Sequence, residues 1–491
     1  MSTVETTAVA TLDNYVDGAW VASASGDALD DIDPATGEVA ARVPLSGAQD
    51  VDRAVGAARE AQTEWRAVAP QRRARAVMAL REALWEHREE LAQLVTADMG
   101  KTIDDARGEV LRGIESTEAA CAIPHLLKGE NLEGVASGVD VELVRQPVGV
   151  VAGITPFNFP CMIPLWFLPF AIACGNTFVL KPSERDPRPS VRIFELIDAI
   201  EGIPPGVANL VHGAHDAVNG LLDHPEVDAI SFVGQATTAR YVAERAAATG
   251  KRAQALGGAK NSMVVMPDAD LAQAVPAMLG SAFGNAGQRC LAGSVAVLVG
   301  DAERQDAVRE ALVAEAAKLT LGPGVDPETD VSPLVAPEAR QRIVDAVGRA
   351  EDKGAKVLLD GRGAASGPAD TLMGPTIVEA ADRESELARE ELFGPLLALV
   401  RAADIDDALG FVNGSRYGNA TAIFTSSGSS ARAYRYGVEA GMVGVNVGVP
   451  APVAWFPFAG WKDSMEGDLH ANGRDAVEFY TRTKVLTSRW R

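Results

Sequence analysis

The sequence predicts an α/β fold built on two doubly wound parallel sheets. From Val148 onward, short apolar strands alternate with helical segments, which is the pattern of consecutive βαβ units. A second series of the same kind runs from Leu271 to about Val445. With 491 residues the chain is too long for one ordinary core, so we expect two or three domains.

The first third is predicted to be helical, because its apolar residues recur at helical spacing. Helices are expected over residues 50–65, 71–99 and 104–127, and short strands near 135–150. The first alternating series has strands at 148–154, 177–180, 207–211, 229–233, 252–256 and 262–266, and helices at 161–174, 190–200 and 237–248. The second has helices at 271–284, 303–319 and 340–353, and strands at 294–299, 396–400 and 420–424. Residues 478–490 alternate as an edge strand, for which the 135–143 region is the candidate partner.

Composition restricts the classes of function. Apolar residues make up 47% and charged residues 23%, as in soluble globular proteins. The net charge of −22 argues against a nucleic-acid or anionic-membrane partner, which would need a basic face. The four cysteines form no C-x-x-C pair, and residues 1–10 lack the pattern of a signal peptide. We therefore expect a cytoplasmic protein.

Residues 146–180 carry no charge, yet we expect them to be buried rather than to span a membrane. Five prolines interrupt the stretch, at positions 147, 156, 160, 164 and 169. A continuous spanning helix does not tolerate so many. A buried strand, an irregular loop and a buried helix fit better.

Cys290 is the candidate nucleophile. It lies in residues 284–291 (GNAGQRCL), behind a glycine-rich turn and beside Arg289. A cysteine attacks carbonyls as the thiolate, and a neighbouring cation and oriented backbone N–H groups favour that form. Gly284 and Gly287 allow the sharp bend that presents a side chain to a cleft. The sequence therefore predicts a covalent thioester or thiohemiacetal on Cys290.

Asn158 lies in a proline-flanked turn, residues 155–160 (TPFNFP), between a strand and a helix. Ligands bind at such carboxyl ends of parallel strands. Its amide could donate to the oxyanion that forms when a thiolate attacks an aldehyde. The alternative is that Asn158 caps the following helix.

Three further turns offer ligand contacts, each with a simpler alternative. Lys181 and Glu184, after another strand, suit ribose hydroxyls or are solvated loop charges. Gly234, before a helix, allows a pyrophosphate to approach, although no G-x-G-x-x-G is present. Glu391 could bind a second ribose and Phe393 could pack on a nicotinamide, or the turn simply has an apolar anchor.

The remaining cysteines and the histidines predict no second site. Cys161 and Cys174 lie among apolar residues and are expected in the core, and Cys121 is expected to pack on an Ala-rich helix. The six histidines are scattered without ligand spacing, so no metal site is predicted.

Taken together, the motifs PFNFP, KPSE, FVG, LGG, GQRC and ELFGP, in this order, resemble the aldehyde dehydrogenase superfamily over essentially the whole chain. The resemblance implies that Cys290 is the nucleophile and that Asn158 and the Cys290 backbone N–H form the oxyanion hole. The positions matching NAD contacts are Thr155, Phe157, Lys181, Glu184, Gly234, Gln235, Glu391 and Phe393.

One departure from the family bears on the reaction. Hydrolytic members carry Glu-Leu-Gly-Gly, whose glutamate activates water, whereas this chain has Ala255 at the start of that segment. Alanine cannot accept a proton. A thiol such as coenzyme A would release the acyl group without that base, and this loss resembles the CoA-acylating branch that acts on methylmalonate semialdehyde.

In that branch two arginines hold the substrate carboxylate, and they match Arg112 and Arg289, since a guanidinium binds a carboxylate bidentately. The alternative for Arg112 is an ion pair on the helix surface with Glu109 or Glu115. Arg185 matches a further cofactor contact. The positions that depart from the branch are Gln288, Ser262 and Trp455, and they leave the acyl preference open.

The resemblance implies NAD-dependent oxidation of methylmalonate or malonate semialdehyde to propionyl-CoA or acetyl-CoA with loss of CO2. Glu184 would repel a 2′-phosphate, which favours NAD over NADP. It also implies an NAD-binding domain (1–134 and 149–262), a catalytic domain (263–465), an oligomerisation element (135–148 and 466–491) and a homotetramer. The alternatives are a hydrolytic semialdehyde dehydrogenase that gives a free acid, and a non-catalytic NAD-binding scaffold.

Overall fold

The computed structural model describes residues 9–490. Residues 1–8, which hold most of the segment where we expect no signal peptide, and residue 491 lie outside the described residues. Within 9–490, no helix has both the length and the apolar composition needed to cross a membrane.

The strands, in chain order, are β1 Asn14–Val16, β2 Ala19–Val21, β3 Ala28–Ile32, β4 Val39–Pro44, β5 Glu130–Ala136, β6 Val139–Pro147, β7 Val150–Ile154, β8 Thr177–Lys181, β9 Ala208–Leu210, β10 Ala229–Val233, β11 Arg252–Leu256, β12 Asn261–Val265, β13 Gly293–Val299, β14 Lys356–Leu359, β15 Thr376–Glu379, β16 Leu396–Ala402, β17 Tyr417–Gly418, β18 Ala420–Phe424, β19 Met442–Val445, β20 Trp461–Lys462, β21 Met465–Glu466 and β22 Thr481–Arg489.

The helices are α1 Ala48–Trp65, α2 Pro70–Glu86, α3 Arg88–Met99, α4 Ile103–Cys121, α5 Ile123–Leu126, α6 Met162–Cys174, α7 Arg188–Asp198, α8 His215–Asp223, α9 Ala236–Ala248, α10 Leu271–Phe283, α11 Ala302–Ala316, α12 Pro337–Asp352, α13 Glu386–Arg389, α14 Ile405–Asn413, α15 Gly428–Gly437 and α16 Gly473–Phe479.

The first alternating series forms an eight-stranded sheet in the order β2-β1-β9-β8-β7-β10-β11-β21. Its central strands β9, β8, β7, β10 and β11 are parallel, and antiparallel strands close both edges. Alternate residues of β7 enter two different cores: Val151 packs with α2, α4 and α6, whereas Val150 and Ala152 pack with α1, α8 and α9. Helices therefore cover both faces, as a doubly wound sheet requires.

The second series forms a seven-stranded sheet in the order β14-β15-β16-β13-β12-β18-β19, parallel except for β14. Residues 130–147 and the chain end form a separate three-stranded sheet, β22-β6-β5, in which Thr481 lies opposite Pro147. The predicted pairing of the tail with this region is confirmed. The division of the chain into domains stays a prediction.

The helical prediction for the first third was wrong in two places. Residues 14–44 contain four strands, whose segments are too short to show a clear period. The helix expected over 71–99 is broken at His87, which ends α2 and precedes α3 with φ −97° and ψ 13°. These angles fall in the bridge region between the allowed basins, so the helix axis changes direction there.

The uncharged stretch is buried as expected. All residues of β7 and all thirteen residues of α6 are buried. Two prolines lie in α6, Pro164 in its first turn and Pro169 farther along. Pro169 removes one backbone donor from the helix ladder, and burial on every side holds the helix in place.

A buried ion pair attaches α4 to the start of α6. Lys101 Nζ lies 2.5 Å from Glu109 Oε2, and both side chains are fully buried. Lys101 also donates to the Asn158 carbonyl at 2.7 Å, and Glu109 Oε1 accepts from the Cys161 and Met162 N–H groups. The pair thus fixes the turn that carries Asn158.

We expect Glu109→Ala to destabilise the protein strongly, because it leaves the Lys101 ammonium buried without its counter-ion. Removing one partner of a buried pair costs about 3–5 kcal/mol. The free energy of unfolding from guanidinium chloride titration measures the change. Glu115→Ala, on the exposed face of the same helix, is the control, and its cost should stay below about 1 kcal/mol. Equal losses in both variants would contradict the structural role of the pair.

Candidate active site

The backbone before Cys290 makes a strained turn that positions the cysteine. α10 ends at Phe283, and a single 3-10 turn, Gly284–Gly287, follows. Asn285 and Ala286 both have φ near +50°, a backbone region that residues other than glycine rarely occupy. At Gly287, with φ 70°, a Cβ atom would lie 2.2 Å from the Gly394 carbonyl oxygen. Only glycine fits there, because the cysteine loop (residues 284–291) packs directly against the 391–394 turn.

Two asparagines hold the backbone of Cys290. The Cys290 carbonyl accepts hydrogen bonds from Asn261 Nδ2 at 2.8 Å and from Asn419 Nδ2 at 2.9 Å. The buried Gln288 side chain fixes the loop from the other side, since its Oε1 accepts from the Val335 N–H. Sequence reasoning gave none of the asparagine contacts, because nothing local to either residue links it to position 290.

The Asn158 side chain points to the cysteine loop and not to the helix behind it. Its Nδ2 donates to the Gln288 carbonyl at 3.0 Å. The N–H groups of Cys161 and Met162 at the start of α6 are instead satisfied by Glu109. The alternative of Asn158 as a helix cap is therefore wrong. The Asn158 amide contacts the loop two residues before Cys290.

The thiol of Cys290 is not poised as a thiolate in this structure. Burial raises its pKa to about 12, and the nearby negative charge of Glu391 adds to the effect. Backbone N–H groups and Arg289 act in the opposite direction but are weaker. The neighbouring cation and the backbone N–H groups favour the ionised form as expected, but desolvation outweighs them.

We expect Cys290 of the free enzyme to react slowly with iodoacetamide at pH 7 and increasingly fast up to pH 10. With a pKa near 12 the thiolate fraction at pH 7 is roughly 10³-fold below that of an unperturbed cysteine. Peptide mapping by mass spectrometry separates Cys290 from Cys121, which is also partly buried. Alkylation of Cys290 at pH 7 as fast as that of free cysteine would contradict the burial argument.

A cavity of about 350 Å³ opens beside Cys290. Arg112 from α4 and Arg289 from the cysteine loop both line it, together with apolar walls that include Trp166 and Phe458. The structure therefore brings the two predicted arginines and the cysteine to one cavity. A small molecule that carries both a carbonyl and a carboxylate matches this lining in size and charge.

Both arginines already have carboxylate partners. Arg112 pairs with Glu115 at 3.0 Å on the surface of α4, and Arg289 pairs with Asp105 at 2.5 Å. The surface ion pair considered for Arg112 is thus present with Glu115, whereas Glu109 is buried elsewhere. Each guanidinium retains further N–H groups, so the pairs orient the arginines without using all their donors.

Most of the residues expected to contact a nucleotide lie at the carboxyl ends of the first sheet, whereas Glu391 and Phe393 precede β16 of the second sheet. Lys181, at the end of β8, is buried and donates to Glu184 at 2.8 Å. Burial opposes ionisation of Glu184, but the charge of Lys181 outweighs it and lowers the pKa of that carboxyl. The alternative of solvated loop charges is wrong for this pair. Arg185, the next residue, is exposed.

Two aromatic rings bring the 155–160 and 390–395 turns together. Phe157 and Phe393 meet edge to face with centroids 5.9 Å apart. Phe393 has φ 57°, so this turn is strained as well. Gly234 and Gln235 follow β10, and Gln235 immediately precedes α9. A Cβ atom at Gly234 would lie 2.4 Å from the Phe232 ring.

Glu391 reaches back to the loop after β11. Its Oε1 accepts from the Ala259 N–H at 3.0 Å, and a Cβ atom at Gly258 would lie 2.5 Å from its Oε2. Burial raises the pKa of Glu391 to about 7. Ala255, where hydrolytic relatives would have glutamate, is fully buried in β11 and faces an apolar core.

The departures from the branch pattern lie in different surroundings. Gln288 is buried in the cysteine loop, and Ser262 is buried in β12, where its carbonyl accepts from the Thr421 hydroxyl. Trp455 is exposed at the rim, near the cavity-lining Ala454. Cys161 and Cys174 are buried in the core, as predicted, and Cys121 is partly buried.

Comparison with known proteins identifies the family. The sequence profile of the aldehyde dehydrogenase family matches residues 20–486. The chain belongs to this family. It is an oxidoreductase enzyme, which replaces the alternative of a non-catalytic scaffold, and the predicted α/β fold class is confirmed.

Individual relatives are similar over their full length. Malonate-semialdehyde dehydrogenase 1 of Geobacillus kaustophilus is 50% identical, over 98% of each chain. The crystal structure of methylmalonate-semialdehyde dehydrogenase from Oceanimonas doudoroffii has a TM-score of 0.96 and 43% identity, covering 98% of this chain and 99% of that one. A Sinorhizobium meliloti structure complexed with NAD, assigned to the same activity, has a TM-score of 0.96 and 44% identity, covering 99% of each chain.

Proposed function

We propose that this protein oxidises malonate and methylmalonate semialdehyde with NAD⁺ and passes the acyl group to coenzyme A. The observation that carries the proposal is the cavity in which Cys290 faces Arg112 and Arg289, while the position of the hydrolytic glutamate is the buried Ala255. The names of the similar proteins support the same substrates.

The residues present fit an NAD-type nucleotide. Lys181 and Glu184 supply a donor and an acceptor for ribose hydroxyls, and Glu391 supplies an acceptor for a second ribose. The Thr155 hydroxyl is buried without a hydrogen-bond partner in the described part of the chain, at a position that matches a cofactor contact. Phe157, Gly234, Gln235 and Phe393 would complete the site, with Arg185 beside the first ribose. Glu184 disfavours a 2′-phosphate.

Oxidation begins at Cys290. The Cys290 thiol loses its proton to solvent, its Sγ attacks the aldehyde carbon, and the carbonyl oxygen becomes negatively charged. The Asn158 amide and the Cys290 backbone N–H are the proposed donors to that oxygen, which they stabilise most in the transition state. Bound NAD⁺ supplies the hydride acceptor. Arg112 and Arg289 hold the substrate carboxylate, so the acyl group remains oriented as a thioester on Cys290.

Release of the acyl group then requires an acceptor. A β-carboxylate thioester can lose CO2, because the thioester carbonyl accepts the electron pair as an enolate, and the α carbon then takes a proton from solvent. Methylmalonate semialdehyde therefore gives propionyl-CoA, and malonate semialdehyde gives acetyl-CoA. Hydrolysis to a free acid is the second candidate, and the observation that favours it is Glu391, a partly buried carboxylate whose charge acts on Cys290.

We also propose the wider organisation that the family suggests. Residues 1–134 and 149–262 form the NAD-binding domain, 263–465 the catalytic domain, and 135–148 with 466–491 the oligomerisation element of a cytoplasmic homotetramer. The support is the separate sheet β22-β6-β5, where Leu132 and Val485 are both 64% exposed. Exposed apolar residues on one sheet suit a subunit contact.

A product assay decides between the two acceptors. With methylmalonate semialdehyde and NAD⁺, we expect steady turnover and propionyl-CoA only when coenzyme A is present, and a single burst of NADH when it is absent. Mass spectrometry of the protein should then show an acyl group on Cys290, which Cys290→Ala abolishes. Brisk turnover to a free acid without a thiol would favour hydrolysis.

Replacing Arg112 with Leu tests the carboxylate site. Loss of a charged hydrogen bond costs about 1.5–3 kcal/mol, so kcat/KM for methylmalonate semialdehyde should fall about 10- to 100-fold. The value for propanal, which has no carboxylate, should change little. Arg107→Leu is the matched control, because Arg107 lies on the same helix but pairs with Glu89 and Asp104 on the surface. Equal losses for both aldehydes would exclude the role of Arg112.

A further inference from the structure

The carboxylates around Cys290 differ in whether they form an ion pair. On the side of the 350 Å³ cavity, each carboxylate pairs with a cation. Glu109 pairs with Lys101, Glu115 with Arg112 and Asp105 with Arg289. Glu391, on the other side of the loop, has no ion pair within 4.0 Å in the described residues, and its hydrogen-bond partner there is the Ala259 N–H. It is the carboxylate left free to accept a proton.

Glu391 lies against the loop that, in hydrolytic relatives, follows the general base. Its Oε1 accepts from the Ala259 N–H at 3.0 Å, and its Oε2 fills the space over Gly258. The same turn packs on the cysteine loop, where Gly394 and Gly287 are in backbone contact. Glu391, from a distant part of the chain, thus lies beside the loop that follows Ala255, the position at which hydrolytic relatives have glutamate.

We propose that Glu391 is the general base for acyl transfer between Cys290 and the thiol of coenzyme A. This inference rests on the proposed function. During oxidation Glu391 holds the ribose next to the nicotinamide, and after the reduced cofactor leaves, its carboxylate is free to face the incoming thiol.

The step balances without any other reactant. The Glu391 carboxylate takes the proton from the coenzyme A thiol as the sulfur attacks the acyl carbon. The new C–S bond forms, the bond from the acyl carbon to Cys290 Sγ breaks, and Cys290 leaves as a thiolate. The proton on Glu391 then passes to that sulfur. Because burial raises the pKa of Cys290 to about 12, the thiol is the stable form of the released residue.

The charges that face Glu391 set the pH at which it can act. Burial raises its pKa to about 7, and nearby cations limit the rise. The charged or titratable groups around it are Lys260, Arg289, Arg342, Arg416, Tyr417, Cys290 and the adjacent Glu390. Lys260 is itself buried, which lowers its pKa to about 8. A base with a pKa near 7 is well matched to proton transfer at neutral pH.

Isotope exchange tests this step without oxidation. Wild-type enzyme is incubated with propionyl-CoA and deuterium-labelled coenzyme A, with no NAD⁺ and no aldehyde. Transfer to Cys290 and back moves the acyl group onto the labelled thiol. The exchange rate should rise with pH through about 7 and then flatten, because only the ionised carboxylate accepts a proton.

Glu391→Gln should lower the exchange rate by about 10²- to 10⁴-fold and remove the inflection near pH 7. Glu390→Gln is the matched control: Glu390 is the adjacent residue but is exposed and pairs with Arg416, so exchange should be unchanged. In Glu391→Ala, added acetate should restore part of the exchange, an effect that a merely structural role would not give. Arg342 is an exposed cation near the Glu391 carboxylate. Arg342→Gln should raise the pKa of that carboxylate and so move the inflection to higher pH.

The outcomes separate the two proposals. If wild-type enzyme does not exchange the acyl group, coenzyme A is not the acceptor, and both the proposed function and the role of Glu391 fail. If wild-type enzyme exchanges and Glu391→Gln does so with the same rate and pH profile, the proposed function stands and the role of Glu391 is excluded.

Discussion

The buried pair of Lys101 and Glu109 is the interaction on which the site depends. A single ammonium group contacts the Glu109 carboxylate and the Asn158 carbonyl, and lies 4.1 Å from the centroid of the Phe159 ring. The same carboxylate accepts the first N–H groups of α6. Desolvating two charges is costly unless both are fully satisfied. Here both charges are satisfied, and the ammonium holds the backbone of the turn whose Asn158 amide donates to the cysteine loop.

Burial is the second constraint, and it determines the chemistry of Cys290. The loop must be enclosed so that a developing oxyanion meets fixed donors rather than mobile water. The same enclosure disfavours the thiolate, so the pKa of the thiol rises to about 12. The enclosed loop therefore disfavours ionisation of the thiol that we propose as the nucleophile. In a low-dielectric pocket a neighbouring Arg289 is not enough to offset the lost hydration.

The sequence predicts most of the parallel sheets and the cysteine and asparagine turns, because these features are local. Apolar periodicity and glycine positions lie within a few residues of one another. It could not predict the contacts that join segments far apart. Ala259 and Glu391 are separated by 132 positions, and Asn419 and Cys290 by 129. The pKa of Cys290 depends on the same long-range packing, because burial of the thiol outweighs the local effect of Arg289.

The break at His87 and the strands of residues 14–44 show a second limit of prediction from sequence, which concerns where helices and strands begin and end. A bridge-region residue between two amphipathic helices leaves the apolar spacing almost continuous, so the period alone does not reveal it. Arg112 shows the converse case. Its i,i+3 pair with Glu115 follows from helix geometry and is present, yet the same side chain lines the cavity. A local ion pair and a ligand contact are compatible, since a guanidinium has five donors.

The cysteine loop separates two chemically different faces. Arg112, Trp166 and Phe458 line the side with the larger cavity, whereas Lys260, Glu391 and Phe393 line the other. Arg289 borders both. In the proposed reaction the substrate carboxylate stays on the arginine side, so the face with Glu391 serves first the nucleotide and then the acceptor. In this proposal, a thiol that arrives from that face meets a carboxylate that forms no ion pair within 4.0 Å among residues 9–490, whereas one that arrives from the other face meets paired carboxylates. In the same proposal, the unequal distribution of ion pairs around Cys290 determines the face from which the acceptor thiol approaches.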